Sequence, residues 1–222
     1  MILIFDLDDT LYSEESYAVS GYKSVAKYIF STYDVPVNES LDVLLESLKS
    51  GHREEAFQRL LVAKALPKKA LHQCISVYRK HTPEIQLDEV AKEILLKYRD
   101  INKYLVTDGN KIVQGNKVKA LNLDQLLKRC FITHAYGLSA SKPSTYCFQK
   151  IKELEGVDWR DLVYVGDDPR KDFVNLKPLG VTTVRVLTGR HAQMKVPEEY
   201  DAQYQILSID RLVEVLEFNN DQ

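Results

Sequence analysis

Length, composition and charge limit what this chain can be. Its 222 residues, 45% of them hydrophobic and 28% charged, are enough for one medium-sized domain or for a domain with a smaller companion. A net charge of -2 offers no overall attraction to nucleic acid or to an anionic membrane, so neither is an expected partner. No apolar run is long enough for a membrane-spanning helix, and the opening MILIF is too short for a signal peptide, so we expect a cytoplasmic protein.

Five short apolar runs predict the strands of a parallel sheet. The first covers residues 2–5, and the others cover residues 104–106, 130–132, 162–165 and 183–186. Continuous apolar runs of this length are typical of strands that are buried on both faces. Helical stretches separate the later runs, which predicts an α/β core with a Rossmann-like, doubly wound parallel sheet.

The segment from about residue 13 to residue 98 interrupts this alternation. Its apolar residues recur every three or four positions, as they do on amphipathic helices, and it contains no convincing strand pattern. Pro36, Gly51, Pro67 and Pro83 stand at the junctions between the predicted helices. We therefore expect residues 13–98 to form an inserted all-helical domain, and residues 1–12 and 99–222 to form the α/β core.

Polar residues collect where the predicted strands end. They are Asp6, Asp8 and Asp9 after the first strand, Thr107, Asp108 and Gly109 after the second, Lys142 after the third, and Asp167, Asp168 and Asp172 after the fourth. The carboxyl ends of parallel strands meet at one edge of the sheet, so these residues should converge there. Crowded carboxylates cost free energy unless a cation, a proton or hydrogen bonds neutralise them. Oxygen ligands suit a hard cation such as Mg²⁺, and substrate phosphate commonly completes the coordination of that cation. A lysine at the same edge can attract both phosphate and carboxylate.

The same residues follow the order of four known motifs. Residues 6–10, DLDDT, resemble the DxDx[TV] motif of the haloacid dehalogenase (HAD) superfamily. Thr107, Lys142 with Pro143, and the GDxxxxD form of residues 166–172 are similar to the other three motifs. The chain therefore resembles the phosphatases of this superfamily, which have a Rossmann-like core, and the helical segment resembles their cap inserted between the first two motifs.

The resemblance implies a role for each matched residue. Asp6 would be the nucleophile that forms an aspartyl phosphate, and Asp8 would protonate the leaving oxygen and then activate water. Mg²⁺ would be held by Asp6, the backbone carbonyl of Asp8, and Asp167. The candidates for phosphate binding are Thr107, Asp108, Gly109 and Lys142. Asp168 and Asp172 would lie around the metal, and the motif leaves open whether either of them contacts it directly.

Asp8 also indicates the class of reaction. Dehalogenases and phosphonatases of the superfamily lack an acid two positions after the nucleophile, whereas an alkoxide leaving group needs a proton donor. The resemblance thus implies a magnesium-dependent phosphatase for a small phosphorylated metabolite, either a sugar phosphate or a nucleoside monophosphate. A sugar phosphomutase of the same superfamily and a non-catalytic binding or regulatory module with this fold remain as alternatives.

Two further sets of residues are expected to be structural. Asp9 should belong to a turn or a helix cap. The histidines show no metal-ligand spacing and are expected at the surface or in packing; they are His52, His72, His81, His134 and His191. The three cysteines are far apart and are expected to be free thiols.

Overall fold

The computed structural model describes residues 1–220, and the chain divides into two compact units. The first, called the core unit, comprises Met1–Glu14 and Gln86–Gln222, and the second, called the helical insert, comprises Glu15–Ile85. The expected insert extended from residue 13 to residue 98. The structure therefore places the last helix of that segment, Glu89–Lys97, in the core unit, where it packs against the turn Ile209–Arg211.

The strands and helices follow the predicted alternation after residue 102. The strands are β1 (Ile2–Phe5), β2 (Lys103–Thr107), β3 (Arg129–Ile132), β4 (Leu162–Gly166), β5 (Thr182–Val186) and β6 (Tyr204–Ile206). The helices are α1 (Glu14–Tyr33), α2 (Val37–Lys49), α3 (Ala56–Ala63), α4 (Ala70–Lys80), α5 (Glu89–Lys97), α6 (Lys111–Ala120), α7 (Tyr146–Glu155) and α8 (Leu212–Asn220). The five predicted strands are all present, and β6 was not predicted.

The strands form one parallel sheet with the order β3-β2-β1-β4-β5-β6. Every residue of β1, β2 and β4 is buried, as expected for strands covered on both faces. The chain order reverses at β1, which lies between β2 and β4 in the middle of the sheet. In doubly wound sheets this reversal is where ligands bind, at the carboxyl ends of the strands. The predicted α/β core with a Rossmann-like parallel sheet is confirmed.

One face of the central strands packs on a continuous apolar cluster. Alternate residues of the strands point into it, and α7 covers it; the cluster includes Ile2, Ile4, Tyr104, Val106, Leu162 and Tyr164 from the sheet and Cys147, Phe148 and Ile151 from α7. Period-two alternation of this kind follows from the pleat of a strand. The intervening strand residues are buried on the opposite face, so the positions of the strand ends are set by packing from both sides.

The helical insert has its own apolar core. Buried residues of α1, α2, α3 and α4 meet in a second cluster; they include Tyr22, Val25, Ile29, Leu44, Leu60, Ala70 and Cys74. Gly21 on α1 is required there, because a Cβ at this position would lie 2.4 Å from ring atoms of Tyr78. The predicted all-helical domain after the first strand is thus present as a unit with a core of its own.

No helix within residues 1–220 is long and apolar enough to cross a membrane. The three cysteines are free thiols, as expected, and burial raises the pKa of each.

Candidate active site

The predicted site residues converge at the carboxyl edge of the three central strands. Asp6 follows β1 directly, Thr107 is the last residue of β2, and Asp167 follows β4. Parallel registration brings these strand ends level, since Phe5 pairs with both Leu105 and Val165. Lys142 arrives from the loop beyond β3. The central strands run parallel and are buried on both faces, so their ends lie level at one edge of the sheet. Residues from four distant segments therefore meet at that edge.

Lys142 is the central cation of this edge. Its side chain is fully buried, and its Nζ lies 3.0 Å from Asp6 Oδ1 and 2.7 Å from Asp172 Oδ1. It also donates to the hydroxyl of Tyr164 at 2.9 Å. Burial by itself would lower the pKa of Lys142, but the charges of Asp172 and Asp6 more than offset it and leave the pKa well above its usual value. Lys142 is thus held as an ammonium ion beside the predicted nucleophile.

Asp6, Asp167 and Asp172 form a buried acidic cluster. One carboxylate oxygen from each lies within 4.8 Å of the others. Burial raises the pKa of Asp6 to about 7 against the opposing charge of Lys142, and burial likewise raises the pKa of Asp167. The positive charge of Lys142 therefore falls short of neutralising the three acids. These carboxylates offer only oxygen ligands, and the protein neutralises their negative charge only in part. Both properties fit a hard divalent cation such as Mg²⁺.

Asp172 is anchored by protein donors as well as by Lys142. Its Oδ1 accepts from Tyr164 at 3.2 Å, and its Oδ2 accepts from the backbone N–H of Asp168 at 3.0 Å. A Cβ on Gly166 would lie 2.5 Å from Asp172 Oδ2, so only glycine fits there. The close contact between Gly166 and Asp172 thus gives a structural reason for the glycine and the last aspartate of the fourth motif. With both oxygens occupied, Asp172 is suited to stand beside a metal and orient its neighbours.

Asp8 lies in a different electrostatic environment from Asp6. Its Oδ1 accepts from Lys117 Nζ at 2.6 Å and from the hydroxyl of Tyr12, and its Oδ2 accepts from Gln114 Nε2 at 2.9 Å. Burial raises the pKa of Asp8, but the charge of Lys117 and these three hydrogen bonds more than offset it and lower the pKa overall. Two carboxylates two residues apart therefore have pKa values shifted in opposite directions, which is typical of paired groups with different chemical tasks.

Thr107 and Asp108 differ in what their side chains contact. Thr107 Oγ1 accepts from Gln114 Nε2 at 2.7 Å at the strand end. The carboxylate of Asp108 accepts from Thr133 Oγ1 at 2.7 Å, from the backbone N–H of Lys142 at 3.1 Å, and from Lys171 Nζ at 3.4 Å. Burial would raise the pKa of Asp108, but Lys142, Lys171 and the hydrogen bonds lower it. The carboxylate of Asp108 therefore joins neighbouring loops. Phosphate binding by the backbone N–H groups of Asp108 and Gly109 stays a prediction.

Asp168 and His191 form a separate network beside the acidic cluster. Arg170 donates to both oxygens of Asp168, at 2.9 and 2.8 Å, and its Nη2 lies 3.0 Å from His191 Nε2. Burial opposes ionisation of Asp168, but the hydrogen bonds from Arg170 prevail and lower its pKa to about 2. Because an arginine can only donate, His191 Nε2 accepts, and Nδ1–H donates to Asp167 Oδ2 at 2.7 Å. Asp168 thus faces Arg170, and His191 orients Asp167.

The sequence interpretation assigned no role to Lys117, Gln114 or Tyr12, and it expected His191 at the surface or in packing, whereas His191 is buried and contacts Asp167. His191 was judged by its spacing from other histidines, although it follows β5 and so reaches the same sheet edge as Asp167. Gln114 and Lys117 are three residues apart on α6, the helix that follows the Thr107 motif, and both are buried. The recurrence of polar residues on the buried face of that helix is the sequence signal that could have identified Gln114 and Lys117.

Asp9 has the structural role that was expected. Its Oδ1 accepts from the backbone N–H of Glu14, the first residue of α1, at 2.9 Å. Its backbone carbonyl accepts from the hydroxyl of Thr188, which connects the end of β1 with the loop after β5. Asp9 therefore shapes the loop that carries Asp6 and Asp8.

Comparison with known proteins agrees with the fold and the site. The model of the haloacid dehalogenase-like hydrolase family matches residues 3–186. The chain belongs to this family. The resemblance predicted from the four motifs is confirmed, and with it the expected fold class of an α/β core with a helical insert.

Curated relatives specify the class of enzyme further. The chain is 27% identical over 222 residues to a glyceraldehyde 3-phosphate phosphatase of Methanocaldococcus jannaschii, covering 96% of each chain. It is also 27% identical over 227 residues to the enzyme of that name from Pyrococcus furiosus, covering 99% of this chain and 94% of the relative. The predicted enzyme class, a HAD-like phosphoric monoester hydrolase, is confirmed.

A solved structure shows the same fold over almost the whole chain. YfnB, a HAD-hydrolase from Bacillus subtilis whose crystal structure is bound to magnesium, superposes with a TM-score of 0.66. The match covers 97% of each chain at 19% identity. At this identity the similarity defines the fold.

Proposed function

We propose that this protein is a magnesium-dependent phosphatase of a small sugar phosphate, and that a three-carbon ester such as glyceraldehyde 3-phosphate is its first candidate substrate. The observation that carries the proposal is the contrast between Asp6 and Asp8. Asp6 lies between Lys142 and the acidic cluster, whereas Asp8 has its own set of donors. A nucleophile and an adjacent acid–base group are the two parts that hydrolysis of a phosphate monoester through a covalent intermediate requires. The near-full-length relatives supply the substrate class.

In the first step, Asp6 attacks the phosphorus atom of the ester. A bond forms between a carboxylate oxygen of Asp6 and phosphorus, and the bond between phosphorus and the leaving oxygen breaks. Asp8 must be protonated for this step; it gives its proton to that oxygen, which leaves as an alcohol, and Asp8 becomes a carboxylate. Lys142 and the hydroxyl of Thr107 would bind oxygens of the transferring phosphoryl group, and Lys142, whose Nζ lies 3.0 Å from Asp6 Oδ1, would also offset the negative charge of Asp6.

In the second step, the aspartyl phosphate is hydrolysed. Asp8, now a carboxylate, removes a proton from a water molecule, and the water oxygen bonds to phosphorus. The bond between phosphorus and the Asp6 oxygen breaks, which releases inorganic phosphate and restores the carboxylate of Asp6. The hydrogen bonds from Lys117, Tyr12 and Gln114 favour the ionised form of Asp8 that this step needs.

Asp6, Asp167 and the backbone carbonyl of Asp8 would hold Mg²⁺, with Asp172 and Asp168 around them. When bound, the cation would neutralise charge between the nucleophile and the phosphoryl group. The donor set fits this assignment because carboxylate oxygens of Asp6, Asp167 and Asp172 already lie within 4.8 Å of one another. His191 would keep the carboxylate of Asp167 oriented through its 2.7 Å hydrogen bond.

A phosphate-release assay with a substrate panel tests this proposal. The purified full chain, with Mg²⁺, is assayed against glyceraldehyde 3-phosphate, dihydroxyacetone phosphate, hexose phosphates and nucleoside monophosphates, with Asp6→Asn as the control. We expect the highest kcat/KM for a three-carbon sugar phosphate, and no release above background by the variant. A preference for nucleoside monophosphates would overturn the substrate assignment. Unchanged turnover in excess chelator, or in Asp6→Asn, would overturn the mechanism.

A further inference from the structure

Lys117 is a buried cation whose place in the fold is explained by Asp8. It lies on α6, and only 3% of its side chain is exposed. Its Nζ lies 2.6 Å from Asp8 Oδ1, and the two residues are 109 positions apart in the sequence. Burial of an ammonium ion costs several kcal/mol unless it is paired and hydrogen-bonded. A buried ion pair adds little net stability even when it is hydrogen-bonded, so its position at the predicted acid–base group points to a task in the chemistry.

Three side chains together occupy both oxygens of Asp8. Lys117 and Tyr12 donate to Oδ1, and Gln114 donates to Oδ2. The donors approach from α6 and from the loop after β1, so they fix the direction of the carboxylate as well as its charge. Three donors favour the ionised form of this carboxylate, which is the form that a base requires in the second step.

Gln114 connects this arrangement to the phosphate-binding edge. Its Nε2 donates both to Asp8 Oδ2, at 2.9 Å, and to Thr107 Oγ1, at 2.7 Å. Asn110 begins α6 by accepting from the backbone N–H groups of Ile112 and Val113, at 3.0 and 3.4 Å. The capped start of α6 therefore determines where Gln114 and Lys117 lie.

We propose that Lys117, supported by Tyr12 and Gln114, positions Asp8 as the base that hydrolyses the aspartyl phosphate. The inference rests on the proposed function and deepens it. Lys117 is a positioning residue, because it acts through the carboxylate of Asp8. Its loss should slow the second step more than the first, so that the phosphorylated enzyme accumulates.

The variant Lys117→Met tests this directly, since methionine keeps an apolar stem of similar length and removes the ammonium. The matched control is Lys119→Met, which removes the same charge from an exposed position on the same helix. With p-nitrophenyl phosphate and Mg²⁺, we expect kcat to fall roughly tenfold to a hundredfold in Lys117→Met, and to stay at the wild-type value in Lys119→Met. We expect KM to change by less than about threefold, because the loss lies in a chemical step and not in binding.

Rapid mixing shows which step has slowed. Lys117→Met should release a burst of p-nitrophenol approaching one equivalent, followed by slow turnover, and mass spectrometry should find phosphate on the peptide that contains Asp6. A fall in kcat without a burst or a label, or a change in KM alone, would overturn the proposal.

A double variant separates positioning from a general structural role. If Lys117 acts through Asp8, then adding Lys117→Met to Asp8→Asn should lower kcat by no more than about twofold further. A structural role would lower kcat equally in both backgrounds, and that outcome would contradict the inference. If Lys117→Met does not fold, Tyr12→Phe removes one donor and keeps the ring, and it should show the same burst with a smaller fall in kcat; its absence would count against the proposal.

Asp8→Asn alone distinguishes this inference from the proposed function. If Asp8→Asn gives a burst and a labelled Asp6 peptide while Lys117→Met gives neither, the two-step mechanism stands and the role of Lys117 is wrong. If neither variant gives a burst or a label, Asp8 is not the base of the second step, and the proposed mechanism is wrong in that assignment.

Discussion

The core unit and the helical insert both bury polar side chains, but the kinds that they bury differ. At the edge of the core sheet the buried groups are ionisable, and they contact one another, as Lys142 does with Asp6 and Asp172. In the insert the buried polar residues are Ser20, Ser40, Ser47 and His81. Buried ionised groups are expensive and add little net stability, whereas neutral groups can be satisfied locally.

In the insert, Ser20, Ser47 and His81 have hydrogen-bond partners, whereas Ser40 Oγ has none among the described residues. Ser47 Oγ donates to the carbonyl of Val43 at 2.8 Å, one turn earlier on the same helix. His81 Nδ1 lies 2.6 Å from the carbonyl of Tyr78, and its Nε2 lies 3.1 Å from Ser20 Oγ. The comparison teaches that the sheet edge brings buried charged groups into contact beside the predicted nucleophile, whereas the buried polar groups of the insert belong to its packing. Four predictions test that difference, from the largest expected effect to the smallest.

Asp6→Asn should abolish activity without weakening the fold. We expect kcat to fall by a factor on the order of 10⁴ or more, as for loss of a catalytic nucleophile. The melting temperature should stay the same or rise, because burial and the charges of Asp172 and Asp167 disfavour the ionised form of Asp6 by more than Lys142 favours it, and the variant side chain is neutral. Turnover and a thermal melt measure the two effects, with Asp100→Asn as an exposed control. A large drop in melting temperature would show that Asp6 is needed for stability.

Asp167→Asn should weaken the response to Mg²⁺. Chelation of divalent ions should remove activity from the wild-type enzyme, and Mg²⁺ should restore it. In the variant, the Mg²⁺ concentration for half-maximal activity should rise on the order of tenfold to a hundredfold, because one ligand is lost. The upward shift of the melting temperature with Mg²⁺ should shrink in parallel. If the variant keeps the wild-type dependence on Mg²⁺ in both measurements, Asp167 is not a ligand.

Asp108→Asn should reduce stability in a pH-dependent way. The pKa of Asp108 is lowered in the folded protein, so its ionised form contributes stability that is present above its unfolded pKa and is lost as pH falls through the folded value. We expect a loss of about 1–3 kcal/mol in the free energy of unfolding at pH 7, typical of hydrogen bonds to a charged group. Urea unfolding at several pH values should show the difference narrowing below about pH 4. A difference that is constant with pH would show that the charge of Asp108 is not involved.

His81→Gln should change the pH dependence of stability and leave the chemistry unchanged. Burial lowers the pKa of His81, and the carbonyl of Tyr78 opposes this. The unfolded chain therefore takes up the proton more readily, so this group costs stability as pH falls below about 6.5. We expect the free energy of unfolding to decline less between pH 7 and pH 5 in the variant than in the wild type, as measured by urea unfolding. A variant with the wild-type pH dependence would indicate that His81 does not titrate in this range.

Much of the core could be predicted because its signals are local in the sequence. The sequences of β1 and β4 are apolar without interruption, a pattern typical of strands that are buried on both faces. Each of these runs ends next to residues that were assigned to the site. Parallel strands bring their carboxyl ends together, so the convergence of Asp6, Thr107 and Asp167 followed from strand order alone. The motif order then assigned Lys142 and Asp172 to the same edge.

The sequence by itself thus determined the sheet, the helical character of the insert and the chemical class of the acidic edge. Only the tertiary structure decided that α5 belongs with the core, that β6 extends the sheet, and that His191 holds Asp167 while Lys117 holds Asp8. The physical reason is the range of the interactions. Periodicity reports which face of a segment is buried, but a contact across 109 residues depends on how separate segments pack, and no local pattern encodes it.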